Sequence, residues 1–113
     1  MNEVIDGTVR GLGKPYADGT PRYEIWVPIG RTGGLPLRVD ERVPVRLRVA
    51  GVEYSAGLRS TANNTYAQVC PDLVASGGAE DKLGRVLTAA GFEVNNPVQL
   101  LVSGDVVEVR RAV

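Results

Sequence analysis

The sequence predicts a mainly β domain of about seven strands with one clear helix, residues 79–90, ahead of a final hairpin. Three observations predict it. Apolar and polar residues alternate at period two over much of the chain, the pattern of strands with one buried face. Gly, Pro, Asn and Asp cluster between those runs, where turns need them. One late stretch alone carries an apolar stripe at helical spacing.

Taken in order, Glu3 to Arg10 reads as a first strand, with Gly7 marking a bulge or a close backbone approach. Gly11 to Arg22 is a breaker-rich loop with Asp18-Gly19 as a turn signal and with Lys14, Tyr16 and Arg22 within nine positions. Loops of this length tend to be functional. Tyr23 to Ile29 is a second strand, with Tyr23, Ile25 and Val27 on one face, Trp26 on the other, and Pro28 placing its end at a sheet edge. Trp26, the only Trp, reads as core in preference to a stacking platform. Gly30 to Gly34 is a flexible loop, and Leu35 to Val39 is too short and Pro-broken to assign. Val43, Val45, Leu47 and Val49 alternate with Arg42, Pro44, Arg46 and Arg48. Ala50-Gly51 then makes a tight turn requiring positive φ, and Val52, Tyr54, Ala56 and Leu58 form the return arm.

The polar loop Arg59-Ser60-Thr61-Ala62-Asn63-Asn64-Thr65 follows, then a strand from Tyr66 to Cys70 that Pro71 stops. In the helix of residues 79–90, Leu83, Val86, Leu87 and Ala90 form the stripe, and Glu80 and Asp81 occupy a first turn favourable to negative charge. Gly91 is placed for a left-handed C-terminal cap, with Phe92 folding back to complete a Schellman contact. Val98 to Val102 and Val106 to Val109 form the last hairpin.

With 113 residues the chain reads as one domain, 1–113, able to bury an adequate core. Lys+Arg and Asp+Glu both number 13, so global charge points to neither a polyanion nor a membrane surface. Eleven of the 13 basic residues are Arg, as a GC-rich genome or selection for planar bidentate donors would give. The single cysteine, Cys70, reads as a small buried hydrophobe; an intrachain disulfide is impossible, and a reducing, cytoplasmic setting is expected. Absence of histidine removes the commonest general base and a tetrahedral zinc shell, so neither a metal nor a cofactor is expected. No stretch approaches the length of a membrane span.

Pro71-Asp72 with Glu80-Asp81-Lys82 matches the Pro-Asp…(Asp/Glu)-x-Lys signature of a nuclease superfamily, in which two carboxylates hold Mg²⁺ and the lysine orients water. That chemistry needs Glu80 and Lys82 on a strand beside Asp72, whereas here they are expected to open a helix, where residues i and i+2 diverge. Gly11-Leu12-Gly13-Lys14 lacks the Ser/Thr and the helix of a phosphate loop. A binding module is expected, not an enzyme.

The order of elements resembles the DNA-binding pseudobarrel of plant transcription factors and of restriction endonuclease effector domains. The segment Asn64 to Leu73, the helix, and Gly91 to Val98 look like the restriction branch, and more narrowly like the N-terminal head domain of a modification-dependent McrA-like enzyme. The resemblance implies a seven-stranded open pseudobarrel and double-stranded DNA as partner, with an HNH nuclease and other domains further along a longer polypeptide. The chain departs from the family at Gly30 to Glu41, where a helix is usual, and in its neutral charge.

Two loop arms would enter the major groove. In the first, Lys14 and Arg22 meet phosphates and Tyr16 packs or bonds to the backbone. In the second, Arg59, Asn63 and Asn64 read base edges and Ser60 and Thr61 donate to phosphate. Each has a plainer alternative: Asn63-Asn64 as a self-bonded turn, Arg59 as a solvated strand end, Tyr16 as loop packing, and Arg46 and Arg48 as a solvated sheet face. A barrel binding a small ligand or a protein is the alternative function.

Overall fold

The computed structural model describes residues 3–112. In chain order these form β1 (Glu3–Gly11), β2 (Tyr23–Pro28), a 3-10 turn (Ile29–Arg31), β3 (Arg42–Val49), β4 (Val52–Arg59), β5 (Tyr66–Val69), β6 (Asp72–Ala75), β7 (Glu80–Lys82), α1 (Leu83–Ala89), β8 (Pro97–Ser103) and β9 (Val106–Arg111). Around the ring the order is β1-β2-β5-β4-β3-β9-β8 and back to β1. Neighbours are antiparallel except β3 and β9. These are the seven strands that the alternation predicts, and the single helix precedes the last hairpin as expected. The ring is closed where the resemblance implies an open one, because β3 pairs with β4 along its whole length and with β9 on its other edge.

The interior is filled by side chains from every ring strand, with Val9, Ile25, Leu47, Leu58, Val69, Leu100 and Val107 essentially inaccessible. Gly7 sits in β1 without a bulge: a Cβ there would crowd Ile25 and the Trp26 carbonyl, so the close-approach reading is the right one. The β3–β4 turn has positive φ at both Ala50 and Gly51, the primed geometry that suits a two-residue hairpin.

The helix is shorter than expected. Glu80 to Lys82 form β7, paired with Asp72 to Val74 of β6, and only at Leu83 does the chain turn helical. The hairpin supplies ladder partners that a longer helix would forfeit, and the Leu83 amide donates to the Pro71 carbonyl at 2.8 Å. Glu80 and Asp81 therefore do not sit in the first helical turn. Asp81 instead binds Arg85 at i+4, which holds its carboxyl below the usual aspartate range. At the other end the Schellman cap forms as predicted: Phe92 N–H donates to the Leu87 carbonyl at 2.9 Å and Gly91 N–H to the Thr88 carbonyl at 3.0 Å, with Gly91 at φ 89° and Phe92 buried. Arg111 at the end of β9 donates to the Ala90 and Gly91 carbonyls and lies over the Phe92 ring, tying the helix end to the ring.

Candidate nucleic-acid interface

Alternation decides what the outer face of β1, β2, β5 and β4 carries. On β2, Ile25 and Val27 point into the ring, leaving Glu24, Trp26 and Pro28 outside. On β5, Ala67 and Val69 point in, and Tyr66 and Gln68 out. Thr8 and Arg10 of β1 and Arg59 of β4 share this outer face. The Trp26 and Tyr66 rings stack with centroids 3.7 Å apart and planes 11° apart, and the Arg10 guanidinium lies 4.9 Å from the Trp26 centroid. Trp26 is therefore not core but part of an outward aromatic pair, because its neighbours on β2 already take the interior. Thr8, Arg10, Trp26, Pro28, Thr65 and Tyr66 bound a shallow cleft of about 260 Å³ beside this pair.

Beneath the pair lies Glu24, only 6% exposed. One carboxylate oxygen accepts from Trp26 Nε1 at 2.8 Å and the other from Gln68 Nε2 at 3.0 Å. Burial pushes its pKa up, and the bond from Trp26 pulls it partly back. The folded state thus holds the Glu24 proton more tightly than the unfolded chain does. Its contribution to stability is complete below the ordinary glutamate range and is lost as pH rises through the raised folded value. Wild type is therefore expected to lose melting temperature relative to Glu24→Gln as pH rises from the ordinary glutamate range, about 4.3, through the raised folded value. A gap that stays constant across that range would contradict the assignment.

The two sequence-predicted loops leave opposite ends of β2. The first begins after Gly11, paired with Tyr23, and the second ends at Tyr66, paired with Pro28. Five residue steps at roughly 3.3 Å put the loop bases about 17 Å apart, one at each end of the outer face. The first loop is an ordered extension of the β1–β2 hairpin: Leu12 N–H donates to the Arg22 carbonyl at 2.8 Å, Tyr16 N–H to the Thr20 carbonyl at 2.9 Å, and Thr20 N–H to Asp18 Oδ1 at 2.9 Å. Lys14 is exposed on the outgoing arm, before the Tyr16–Gly19 turn that forms the tip. Tyr16 packs: its ring lies 4.7 Å from the Arg22 guanidinium and 5.0 Å from Lys82 Nζ, which fixes the loop against the β6–β7 hairpin.

In the second loop Arg59 and Asn63 are exposed, and neither side chain has a hydrogen-bond partner among the described residues. Asn64 is half-buried, and its amide closes a turn on the Thr61 carbonyl at 3.2 Å. No side-chain bond of Asn63 or Asn64 holds that turn among the described residues, so the self-bonded alternative is not realised. Thr61 is half-buried. Ser60 is a correction: it is 3% exposed, bridged to Val39 and accepting the Asp40 amide at its carbonyl, so its hydroxyl is not presented at the surface.

Charge is distributed unevenly although it sums to zero. Elsewhere Arg46, Arg48 and Arg110 are matched by Asp105, Glu53 and Glu108, whereas, among the described residues, Arg42 and Arg111 bind backbone carbonyls only. Around it Arg10, Lys14, Arg22, Arg31 and Arg59 have no carboxylate partner within ion-pair distance among the described residues. Arg31 joins the second loop's end through the Ile29 amide, which donates to the Thr65 carbonyl at 2.9 Å. Of the acids on this side, Glu24 is buried, and Asp6 is exposed two residues before Thr8 on β1.

The Pro-Asp…Glu-x-Lys residues need a second correction. Glu80 and Lys82 do lie on a strand beside Asp72, so the helical placement expected of them is overturned. The resulting arrangement is an ion pair, Lys82 Nζ to Asp72 Oδ1 at 2.6 Å. Among the described residues no group of three or more His, Cys, Asp or Glu converges as a metal shell would require.

Searches of family models, curated proteins and solved structures give no match to this chain. No helix among the described residues is long and apolar enough to cross a membrane. Sequence reasoning passed over Arg10, Trp26, Tyr66, Gln68 and Glu24 as site residues. The signal was present: each occupies the outward half of a period-two strand pattern, where a buried acid or a large aromatic is unexpected.

Proposed function

We propose that this chain is a double-stranded DNA recognition domain, itself non-catalytic, serving as the reading module of a restriction enzyme. The observation that carries the DNA assignment is the set of uncompensated cations, Arg10, Lys14, Arg22, Arg31 and Arg59, gathered round one outer sheet face between two projecting loops. Loop bases about 17 Å apart are wider than the roughly 12 Å major groove. In this reading the loops reach the phosphates on either side while Arg59, Asn63 and the sheet face meet base edges. The restriction-enzyme context rests on the sequence resemblance.

Mobility shift across a salt series tests it. With Lys14, Arg22 and Arg31 each neutralising one phosphate, log K is expected to fall against log salt with a slope of about −2.7. A flat dependence, or no duplex bound at low salt, would favour a protein- or small-ligand-binding barrel instead. Mg²⁺-dependent cleavage that disappears in Asp72→Ala would assign chemistry to the β6–β7 hairpin and overturn the non-catalytic reading.

A further inference from the structure

We propose that Gln68 and Arg59 together read a G·C pair from the major groove, and that Glu24 is the positioning residue that fixes which way the Gln68 amide faces. This deepens the duplex-recognition reading and rests on it.

The inference starts from what a buried carboxylate can do. Glu24 accepts from Trp26 Nε1 on one oxygen and from Gln68 Nε2 on the other. Each of its two oxygens faces an N–H group, so in this arrangement the carboxyl serves as an acceptor on both sides. Gln68 must therefore turn its NH₂ toward Glu24 and its Oε1 away, an orientation that follows from the network. At 6% exposure Glu24 has little water to replace the Gln68 bond, so flipping the amide would bring oxygen against oxygen.

Gln68 is half-exposed on the outward side of β5, and among the described residues no donor lies on its Oε1. Directly across the ladder on β4 stands Arg59, on the same face, exposed, and a donor only. A locked acceptor thus sits beside a donor fork, with backbones about 5 Å apart. In the major groove guanine offers the O6 and N7 acceptors and its cytosine offers the N4 amino donor, the complement of that pair. Because Gln68 is held by a buried neighbour, its selectivity is built in before any ligand arrives.

The test is selection of the 113-residue chain against a random-sequence duplex pool, for wild type, Gln68→Ala, Glu24→Gln and Arg59→Ala, with melting temperatures in parallel. Wild type is expected to enrich a G·C pair at one fixed position. Gln68→Ala should reduce discrimination against A·T there by about tenfold without changing the salt slope. Glu24→Gln, whose amide can face Gln68 with either group, should relax the same position with the salt slope unchanged; a purely structural role would not move base preference. Gln68→Ala is a half-exposed change and decides the matter even if Glu24→Gln unfolds the chain. An enriched base unchanged in both variants, or adenine enriched in place of the pair, overturns the inference. Steep salt dependence with no sequence preference overturns it and leaves duplex binding intact. No binding of any duplex at low salt overturns the recognition reading itself.

Discussion

Replacing Gly84 with alanine is expected to destabilise the domain by about 3 kcal/mol, the upper end for forcing a methyl group into a filled space. Gly84 is buried in the first turn of α1, and a Cβ on it would overlap the carbonyl group of Pro21. Backbone cannot rotate aside as a side chain can. The helix must lift from the end of the first loop, and Leu83 and Leu87, both fully buried, are drawn out with it. For a domain of this size the loss corresponds to roughly 10–20 °C in melting temperature. Gly77→Ala is the control, since a Cβ there meets nothing within 4 Å; it should change stability by less than about 0.5 kcal/mol. Equal melting temperatures for the two variants would show that the helix does not seat on the Pro21 carbonyl as described.

On the proposed reading, Arg59→Ala is expected to weaken the preferred duplex by about 1–3 kcal/mol and to relax sequence preference, as loss of a guanine-directed donor fork would. Lys14→Ala should behave differently, weakening all duplexes about equally and flattening the salt slope by about 0.9. The contrast follows from position: Arg59 ends β4 beside Gln68 on the outer face, whereas Lys14 stands exposed on the outgoing arm of the first loop. Competition binding with matched and mismatched duplexes at two salt concentrations separates the outcomes. Identical curves for wild type and both variants would remove the two-loop model.

Period two in the sequence determined most of the scaffold. Residues such as Val45, Leu47 and Val49, or Ile25 and Val27, can bury one face only as ring strands, so the seven strands and their inward sides follow from local pattern, as do the Ala50-Gly51 turn and the Gly91 cap. Tertiary structure alone decided the rest, because it depends on which strand lies beside which. Glu80 to Lys82 read as helix until β6 is found alongside to pair with them. Trp26 read as core until Tyr66 and Arg10 from neighbouring strands are found to cover its outward rings. Glu24 and Gln68, 44 residues apart, become one hydrogen-bonded unit only because β2 and β5 are adjacent, and no local spacing encodes that adjacency.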